Sequence, residues 1–353
     1  MRNLPIRLVI AAALAATIVL SSAGSVLAAP GDLDSTFNGS GLVLGPVGGI
    51  ATGVAVQSDG KIVAGGGHFA LARYNPDGTL DTSFGSGGST QPTGGDAHAL
   101  VLQPDGKIVL AGSVCYPCAF SLARYNADGS LDTTFGSGGR ATASFSPSAT
   151  FNDFGAMAVA LQGDGKLVAA GNAGSLFGGN AFGVARFNSD GSLDGSFGSA
   201  GLAIANFYYW EQADARAVAI QADGKIVVGG SAAGQFVLAR FNPDGTLDAT
   251  FGSGGLARPA YGYAYTVAVQ VDGKIVEAGQ DLSGNQIQVA RVNADGSPDS
   301  SFGSGGVATT NFLPTAVYTA ALAVQIQKNG KIVTAGTAFG HGEEAHACRF
   351  PCL

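Results

Sequence analysis

The sequence predicts an all-β protein, a six-bladed β-propeller built from four-stranded antiparallel blades, and three observations lead to this fold class. A unit with two tight turns recurs along the chain, the runs between the turns are apolar at nearly every position, and fragments of one unit stand at the two ends. Repeats of long period indicate an architecture in which one supersecondary unit is stacked many times.

The first copy of the more recognisable half of the unit is ARYNPDGTLDTSFGSGG, from Ala72 to Gly88. Pro76, Asp77 and Gly78 suit a three-residue hairpin loop, because Pro presets the turn and Gly takes the left-handed conformation. That loop places Arg73 directly opposite Asp81 as a cross-strand pair of opposite charge. The other complete copies offer the same pairs: Arg124 with Asp132, Arg186 with Asp194, Arg240 with Asp248, and Arg291 with Asp299.

These repeated charges allow two interpretations. They could form a ring of catalytic or metal-binding carboxylates, or each pair could only fix the register of its own strands. A residue that recurs in every copy serves the unit rather than one site. We therefore interpret the pairs as structural.

The other half of the unit, AVQSDGKIVAGG in its first copy, is a second hairpin that turns at Ser58, Asp59 and Gly60. The unit then has four strands: A (the GVAVQ run), B (KIVAGG), C (LARYN) and D (LDTSFG). Strands A and B are apolar instead of alternating, which indicates that both of their faces are covered. Stacked propeller blades cover both faces in this way.

The two ends complement each other. Gly31–Gly41 matches only the D part of a unit, whereas the last unit ends at Leu353 without a D part. We expect the N-terminal strand to complete the C-terminal blade, with Asp34 paired to Arg349, because closure removes exposed sheet edges. One lysine follows each A-to-B turn, and counting these lysines predicts six blades: Lys61, Lys107, Lys166, Lys225, Lys274 and Lys331. We expect the blades to form one domain, residues 29–353.

The first 28 residues have the character of a secretory signal peptide. Arg2 and Arg7 precede an apolar run from Leu8 to Leu20, and Val26–Ala28 suits a cleavage site. A membrane anchor is the competing interpretation, but the run is shorter than the roughly 20 residues of a span. We expect cleavage after Ala28, a secreted protein, extracellular or periplasmic, and no membrane span thereafter.

Charge and composition exclude some partners. Loss of Arg2 and Arg7 moves the formal charge from −7 to about −9, and most other cations belong to the repeat. No basic stripe remains for a phosphate backbone, so nucleic acid is not an expected partner. No phosphate loop or dinucleotide fingerprint occurs, and we expect no cofactor and a monomer.

The repeated residues resemble the delta-60 repeat family. Its pattern, QxDGKIVxAG followed by LARYNxDGxLDxxFGxGG, covers essentially the whole chain after the signal sequence. The resemblance implies a propeller in a secreted bacterial protein, and many relatives look like cell-surface proteins. It implies no particular reaction.

The expected binding surface is the face that carries the B-to-C and D-to-A connections, because these connections vary between repeats and variable loops on a rigid scaffold commonly carry function. Its aromatic and acidic side chains suit a sugar ring or a protein surface. Alternatively, the rings pack between blades or cap the channel. The candidates are Tyr208, Tyr209, Trp210, Glu211, Tyr261, Tyr263 and Tyr265, and Asp214 and Arg216 stand in the same segment as Trp210.

Two further groups are weaker candidates. Four cysteines in a secreted chain suggest disulfides, and they stand as CYPC (Cys115, Cys118) and CRFPC (Cys348, Cys352). The HGEEAH segment offers His341, Glu343 and His346 to a metal, but its spacing differs from the zinc-protease helix motif.

The sequence therefore favours a binding or interaction module for a glycan or protein ligand over an enzyme. The alternatives are a hydrolase or lyase, metal-assisted or not, with its site over the central channel, and a structural component of the cell surface.

Overall fold

The structure is a computed structural model of the whole chain, and the residues it describes are 33–46, 50–90, 94–114, 119–145, 155–174, 180–207, 211, 213–311, 316–340 and 346–348. These residues form β-strands joined by turns, with one three-residue 3₁₀ turn at Phe37–Gly39. The fold class is therefore all-β, as predicted.

The strands form six antiparallel sheets in which neighbours along the chain are neighbours in the sheet. The sheets are β1 (Ala51–Val56), β2 (Ile62–Gly66) and β3 (Ala70–Tyr74); β4 (Asp96–Leu102), β5 (Ile108–Val114), β6 (Ala119–Tyr125) and β7 (Arg140–Ala143); β8 (Gly155–Leu161), β9 (Leu167–Gly174), β10 (Asn180–Phe187) and β11 (Leu202–Ala205); β12 (Ala213–Ile220), β13 (Ile226–Ala232), β14 (Gln235–Phe241) and β15 (Leu256–Ala257); β16 (Tyr263–Val269), β17 (Ile275–Gln280), β18 (Ile287–Val292) and β19 (Val307–Thr310); and β20 (Ala316–Ile326), β21 (Ile332–Gly340) and β22 (His346–Cys348).

The prediction of six four-stranded blades is wrong. Four sheets have four strands, and the first sheet gains its fourth from the single bridge between Ala72 and Ser89, which makes five blades of four strands. We number these blades 1 to 5 in chain order. The last sheet, β20 to β22, has three strands among the described residues.

The assignment of strand D to the LDxxFG run is also wrong. In blade 1 this run forms a corner, because Asp81 Oδ1 accepts hydrogen bonds from the backbone N–H and the hydroxyl of Ser83, and Phe84 N–H donates to Asp81 O. The fourth strand begins only after the following glycines, at Ser89 in blade 1 and at Arg140 in blade 2.

Among the described residues, the expected strand from the N-terminus does not join the last sheet. The N-terminal fragment carries the corner motif, not a strand: Asp34 Oδ1 accepts the N–H and hydroxyl of Thr36, and Asn38 N–H donates to Asp77 O of blade 1 at 2.6 Å. Among the described residues, β22 pairs with β21 alone. Arg349, the expected partner of Asp34, lies outside the described residues, as does the proposed signal peptide.

The two predicted tight turns are present in blade 1. Gln57 N–H donates to Lys61 O at 2.8 Å and Asn75 N–H donates to Thr79 O at 2.8 Å. Gly60 and Gly78 each have a φ of 83°. Glycine is needed at these corners because other residues rarely adopt that conformation.

The hydrophobic core lies between consecutive blades. Phe69 and Phe84 of blade 1, for example, share one cluster with Ile108 and Leu110 of blade 2. The first strands of consecutive sheets also contact one another, from β1 and β4 through to β16 and β20. The first strands are therefore innermost, and they line a central channel, as in a propeller. The described part of the chain contains no helix with the length and hydropathy of a membrane span.

Candidate functional site

The repeated charged residues form a joint inside each blade. In blade 1, Asp81 Oδ2 accepts from Arg73 Nε at 2.7 Å and from Lys61 Nζ at 2.9 Å, and both Arg73 and Asp81 are buried. The same arginine–aspartate contact occurs in every blade, at 2.7 to 2.8 Å: Arg124–Asp132, Arg186–Asp194, Arg240–Asp248 and Arg291–Asp299.

Each arginine also joins its blade to the next. Arg73 Nη1 donates to Ala127 O of blade 2 at 2.6 Å, and its guanidinium lies 4.5 Å from the centre of the Phe84 ring. Hydrogen bonds from Ser83, Lys61 and Arg73 outweigh the effect of burial and hold the pKa of Asp81 far below its usual range. A carboxylate saturated by such donors has no oxygen lone pair directed at a ligand, so these residues join blades and do not form the site.

A different feature directs side chains into the channel. The innermost strand of every sheet contains a β-bulge, at which two residues lie opposite one residue of the neighbouring strand, and β20 contains a second bulge at Val317. In blade 2 the bulge falls between Ala97 and Ala99. On the facing strand stands Gly112, where a Cβ atom would collide with the carbonyl oxygen of Asp96. The glycine of the repeated KIVxxG motif therefore accommodates the bulge.

The bulged residue is the variable one. The residue before it is Ala in every copy and the residue after it is Gly, Ala or Thr, whereas the bulged residue itself differs in every copy. Bulges re-aim side chains and are common beside active sites. The bulged residues at the repeated position are Thr52, His98, Met157, Arg216, Tyr265 and Leu322.

Arg216 is held in place by a chain of contacts across two blades. Arg216 Nε donates to Asp214 Oδ2 at 2.6 Å, and Asp214 Oδ1 accepts from Asn172 Nδ2 of blade 3 at 2.9 Å. Asn172 Oδ1 in turn accepts the Ala215 N–H at 2.7 Å. The Arg216 side chain is 36% exposed, so it is oriented by these contacts but still accessible to a ligand.

His98 and Arg216 belong to blades 2 and 4, which are not neighbours, yet their side chains interact electrostatically. Burial lowers the pKa of His98, Asp96 opposes that effect, and Arg216 lowers the pKa further. Such coupling between non-adjacent blades arises when both side chains face the shared channel. His98 is therefore neutral at physiological pH.

Two tyrosines complete this group. The Tyr265 hydroxyl is hydrogen-bonded to Tyr318 of the last sheet, and burial, this bond and the nearby Asp214 raise the pKa of Tyr265 well above its usual value. The channel site therefore comprises His98, Asp214, Arg216, Tyr265 and Tyr318. Its single positive charge is balanced by Asp214, so its surface is polar rather than strongly charged.

Of these five residues, Asp214, Arg216 and Tyr265 stood in the segments that the sequence singled out, whereas His98 and Tyr318 did not. His98 could be found by aligning the six A strands with one another, because one position varies while its neighbours repeat. The segments ATGV, AHAL, AMAV, ARAV, AYTV and ALAV show it directly.

The structure separates the other candidates. Glu211 accepts a hydrogen bond from Arg258 at 2.7 Å, and Tyr261 and Tyr263 are 66% and 42% exposed. The upstream Phe207 packs edge-on against Phe182. Tyr208, Tyr209 and Trp210 lie outside the described residues.

The cysteine and metal candidates lie mostly outside the described residues as well. This holds for Cys115, Cys118, Cys352, His341 and Glu343, while His346 and Cys348 are described only as backbone in β22. In the described part of the chain, no three His, Cys, Asp or Glu side chains cluster as a metal site would require.

A second concave surface of about 850 Å³ lies on the outer rim between blades 3, 4 and 5. Phe207, Leu256 and Arg258 line one part of it, and Asp295 to Pro298 line another. Its residues belong largely to the repeated corners, so it offers less distinctive chemistry than the channel.

Comparison with known families supports the architecture. A family model described as a domain of unknown function (DUF5122) beta-propeller matches residues 57–84, 103–135, 162–197, 221–251 and 270–302. Each matched segment runs from an A-to-B turn to the phenylalanine of the corner. The chain is therefore a β-propeller repeat protein.

The fold of this chain is similar to those of several proteins of known structure. Virginiamycin B lyase from Staphylococcus aureus is 13% identical, with a TM-score of 0.47 over 85% of this chain and 84% of that chain. The PQQ-bound aldose sugar dehydrogenase from Streptomyces coelicolor is 13% identical, with a TM-score of 0.43 over 81% of this chain and 88% of that chain. We infer no activity from likeness at these levels. No curated protein matches the sequence.

Proposed function

We propose that this protein is a binding module that recognises a polar ligand at the mouth of its channel, on the face with the variable connections. The observation that carries the proposal is the set of bulges. Each bulge places a non-repeated side chain on an otherwise repeated strand, and three of these, His98, Arg216 and Tyr265, interact in one channel.

The chemistry of the site favours a neutral glycan over a charged ligand. Arg216 is paired with Asp214, His98 is neutral, and Tyr265 and Tyr318 offer hydroxyl groups. Donors and acceptors of this kind match sugar hydroxyls, and the tyrosine rings supply apolar surface. Tyr261 and Tyr263, both exposed, extend this surface outward. A protein loop rich in hydroxyl and amide groups is the other ligand that fits.

We also propose that the chain is exported. Arg2, Arg7 and the apolar run that follows support this, and secretion would bring the binding face into contact with extracellular glycans. N-terminal sequencing of protein produced by a secreting host tests it: the expected first residue is Ala29, and an intact Met1 would contradict export.

A lyase or hydrolase is the second candidate, and His98 is the observation that favours it. A neutral imidazole that interacts with a guanidinium could act as a general base on a bound substrate. Turnover of a bound glycan that is lost in His98→Gln would favour the enzyme. Saturable binding without product would favour the module.

The test of the binding proposal is a screen of neutral oligosaccharides on a glycan array, followed by calorimetric titration of the best hit. Arg216→Met and His98→Gln are expected to weaken binding by about 2 kcal/mol each, the scale of an interface hot spot. Arg258→Met on the outer rim is the matched control and should bind as the parent does. Equal affinity in all four proteins would place the site elsewhere.

A further inference from the structure

A carboxyl group is buried in the joint between blades 4 and 5, where the repeat normally has an apolar side chain. Glu277 of β17 is completely buried. The equivalent residues in the other sheets are Ala64, Leu110, Ala169, Val228 and Thr334. Nothing in the repeat requires an acid here, so its function is particular to this position.

Glu277 contacts the strand that faces the Arg216 bulge. Its Oε1 accepts the Gly230 N–H of blade 4 at 2.8 Å. Gly230 pairs with Ala215, next to Arg216, and a Cβ on residue 230 would collide with the carbonyl oxygen of Asp214. In its own blade, Glu277 pairs with Val267, two residues after Tyr265. The side chain therefore lies behind two residues of the channel site.

The second carboxyl oxygen has no compensating contact. Oε2 of Glu277 is buried without a hydrogen-bond partner among the described residues. Burying an ionised carboxylate without partners is far more costly than burying the neutral acid. Accordingly burial raises the pKa of Glu277 well above its ordinary value, and the Gly230 hydrogen bond only partly opposes this.

In the described part of the chain, no counter-ion balances the carboxyl group of Glu277. The strands packed around Glu277 carry these titratable residues: Asp214 and Arg216 on β12, Arg240 on β14, Tyr263 and Tyr265 on β16, Arg291 on β18, and Tyr318 on β20. Arg216 is paired with Asp214, Arg240 with Asp248 and Arg291 with Asp299. Strand β13, which supplies Gly230, carries no titratable side chain.

We propose that Glu277 is a positioning residue and a pH-sensitive latch. In its neutral form the carboxyl group accepts the Gly230 N–H, and this hydrogen bond fixes the strand that pairs with the bulge at Arg216. When the group loses its proton to solvent, the buried charge loosens the joint between blades 4 and 5 and releases Arg216 and Tyr265 from their positions. The latch depends on the fold alone, whereas its effect on ligand affinity rests on the proposed function.

The sign of the pH dependence follows from the direction of the shift. Above the ordinary pKa of a carboxyl group the unfolded chain releases this proton and the folded protein keeps it. Stability is therefore lost as pH rises through this window, and the loss ends above the folded-state pKa. Within the window the unfolding equilibrium constant rises by up to tenfold per pH unit.

The experiment compares urea unfolding of the full chain and of Glu277→Gln from about pH 5 to pH 9. Gln keeps the acceptor for Gly230 and cannot ionise, so we expect the variant to gain stability relative to the parent as pH rises. Titrations of all other groups are common to both proteins. A difference in stability that is constant with pH would overturn the latch.

A second measurement follows the positioning role and needs no ligand. Amide hydrogen exchange at Gly230 and Arg216 is expected to be faster in Glu277→Leu than in the parent and the Gln variant. Leucine suits the site sterically, since Leu110 occupies the equivalent position. Unchanged exchange in Glu277→Leu would show that Glu277 does not hold the bulge, even if the Gln variant fails to fold.

Discussion

The carbonyl oxygen of Asp96 occupies the space that a Cβ atom on residue 112 would need, and Gly112 leaves that space free. The same relationship holds at the bulge of every sheet, where the glycines are Gly66, Gly112, Gly171, Gly230, Gly279 and Gly336. One glycine per repeat thus permits the bulge, and the bulge delivers one variable side chain to the channel.

Replacing this glycine should therefore disturb both the blade and the channel. Gly112→Ala is expected to lower stability by about 3 kcal/mol, because the added methyl group meets backbone that cannot move aside. Gly163→Ala is the control, since nothing lies within 4 Å of its added Cβ. Urea unfolding measures both. If Gly112→Ala is as stable as the control, the glycine does not serve the bulge.

The buried arginines should matter for stability and the channel arginine should not. Arg124 and Asp132 have side chains that are 8% and 5% exposed, so Arg124→Met removes one partner of a buried pair and should cost about 3 kcal/mol. Arg216→Met, from a pair that is 36% and 37% exposed, should cost less than about 1 kcal/mol. Thermal melts measure both losses. A larger loss of stability in Arg216→Met than in Arg124→Met would contradict the assignment of Arg124 to the joint and of Arg216 to the site.

Acid should weaken the joints between blades. Burial raises the pKa of Asp132, but hydrogen bonds from Lys107, Thr134 and Arg124 outweigh it and hold the pKa far below the ordinary 3.8. A lowered folded-state pKa contributes stability above the unfolded value, and this stability is lost as pH falls below about 4.

Asp132→Asn should therefore be less stable than the parent at neutral pH, and the difference should shrink on acidification. Asp105→Asn is the control, because the equivalent turn residue in the last sheet is Asn329. Melting temperatures between about pH 2 and pH 7 test this. A difference that persists unchanged in acid would contradict the role given to Asp132.

Truncating a buried aromatic side chain should lower stability, whereas truncating an exposed one should not. Phe236 is fully buried and Tyr261 is 66% exposed. Phe236→Ala should cost about 3 to 5 kcal/mol, as large truncations in a core do, while Tyr261→Ala should change stability by less than about 0.5 kcal/mol. Comparable losses in the two variants would show that Tyr261 packs between blades and is not available to a ligand.

The repeat could be predicted because turn chemistry is local. Gly60 and Gly78 mark their corners in any context, and spacing then determines which runs pair. The corner after Leu80 could not be found in this way. Asp81, Ser83 and Phe84 resemble a strand in composition, and only hydrogen bonds between the Asp81 side chain and the backbone two residues on bend the chain.

That one error accounts for the two others. With a strand assigned to LDxxFG, the N-terminal fragment also appeared to supply a strand, and closure with a sixth four-stranded blade followed. His98 could not be predicted for a different reason, because the candidates came from segments that differ wholly between copies. His98 stands inside a repeated strand, where a single variable position carries the information.

The central claim is that bulges in separate blades bring His98 and Arg216 to one channel site, and an NMR titration of the histidine ring tests it most directly. His98→Gln identifies the resonance among the four histidines. Because the Arg216 guanidinium lowers the pKa of His98, that pKa should rise in Arg216→Met and stay unchanged in Arg258→Met on the outer rim. A His98 pKa that is the same in the parent and in Arg216→Met would contradict the claim.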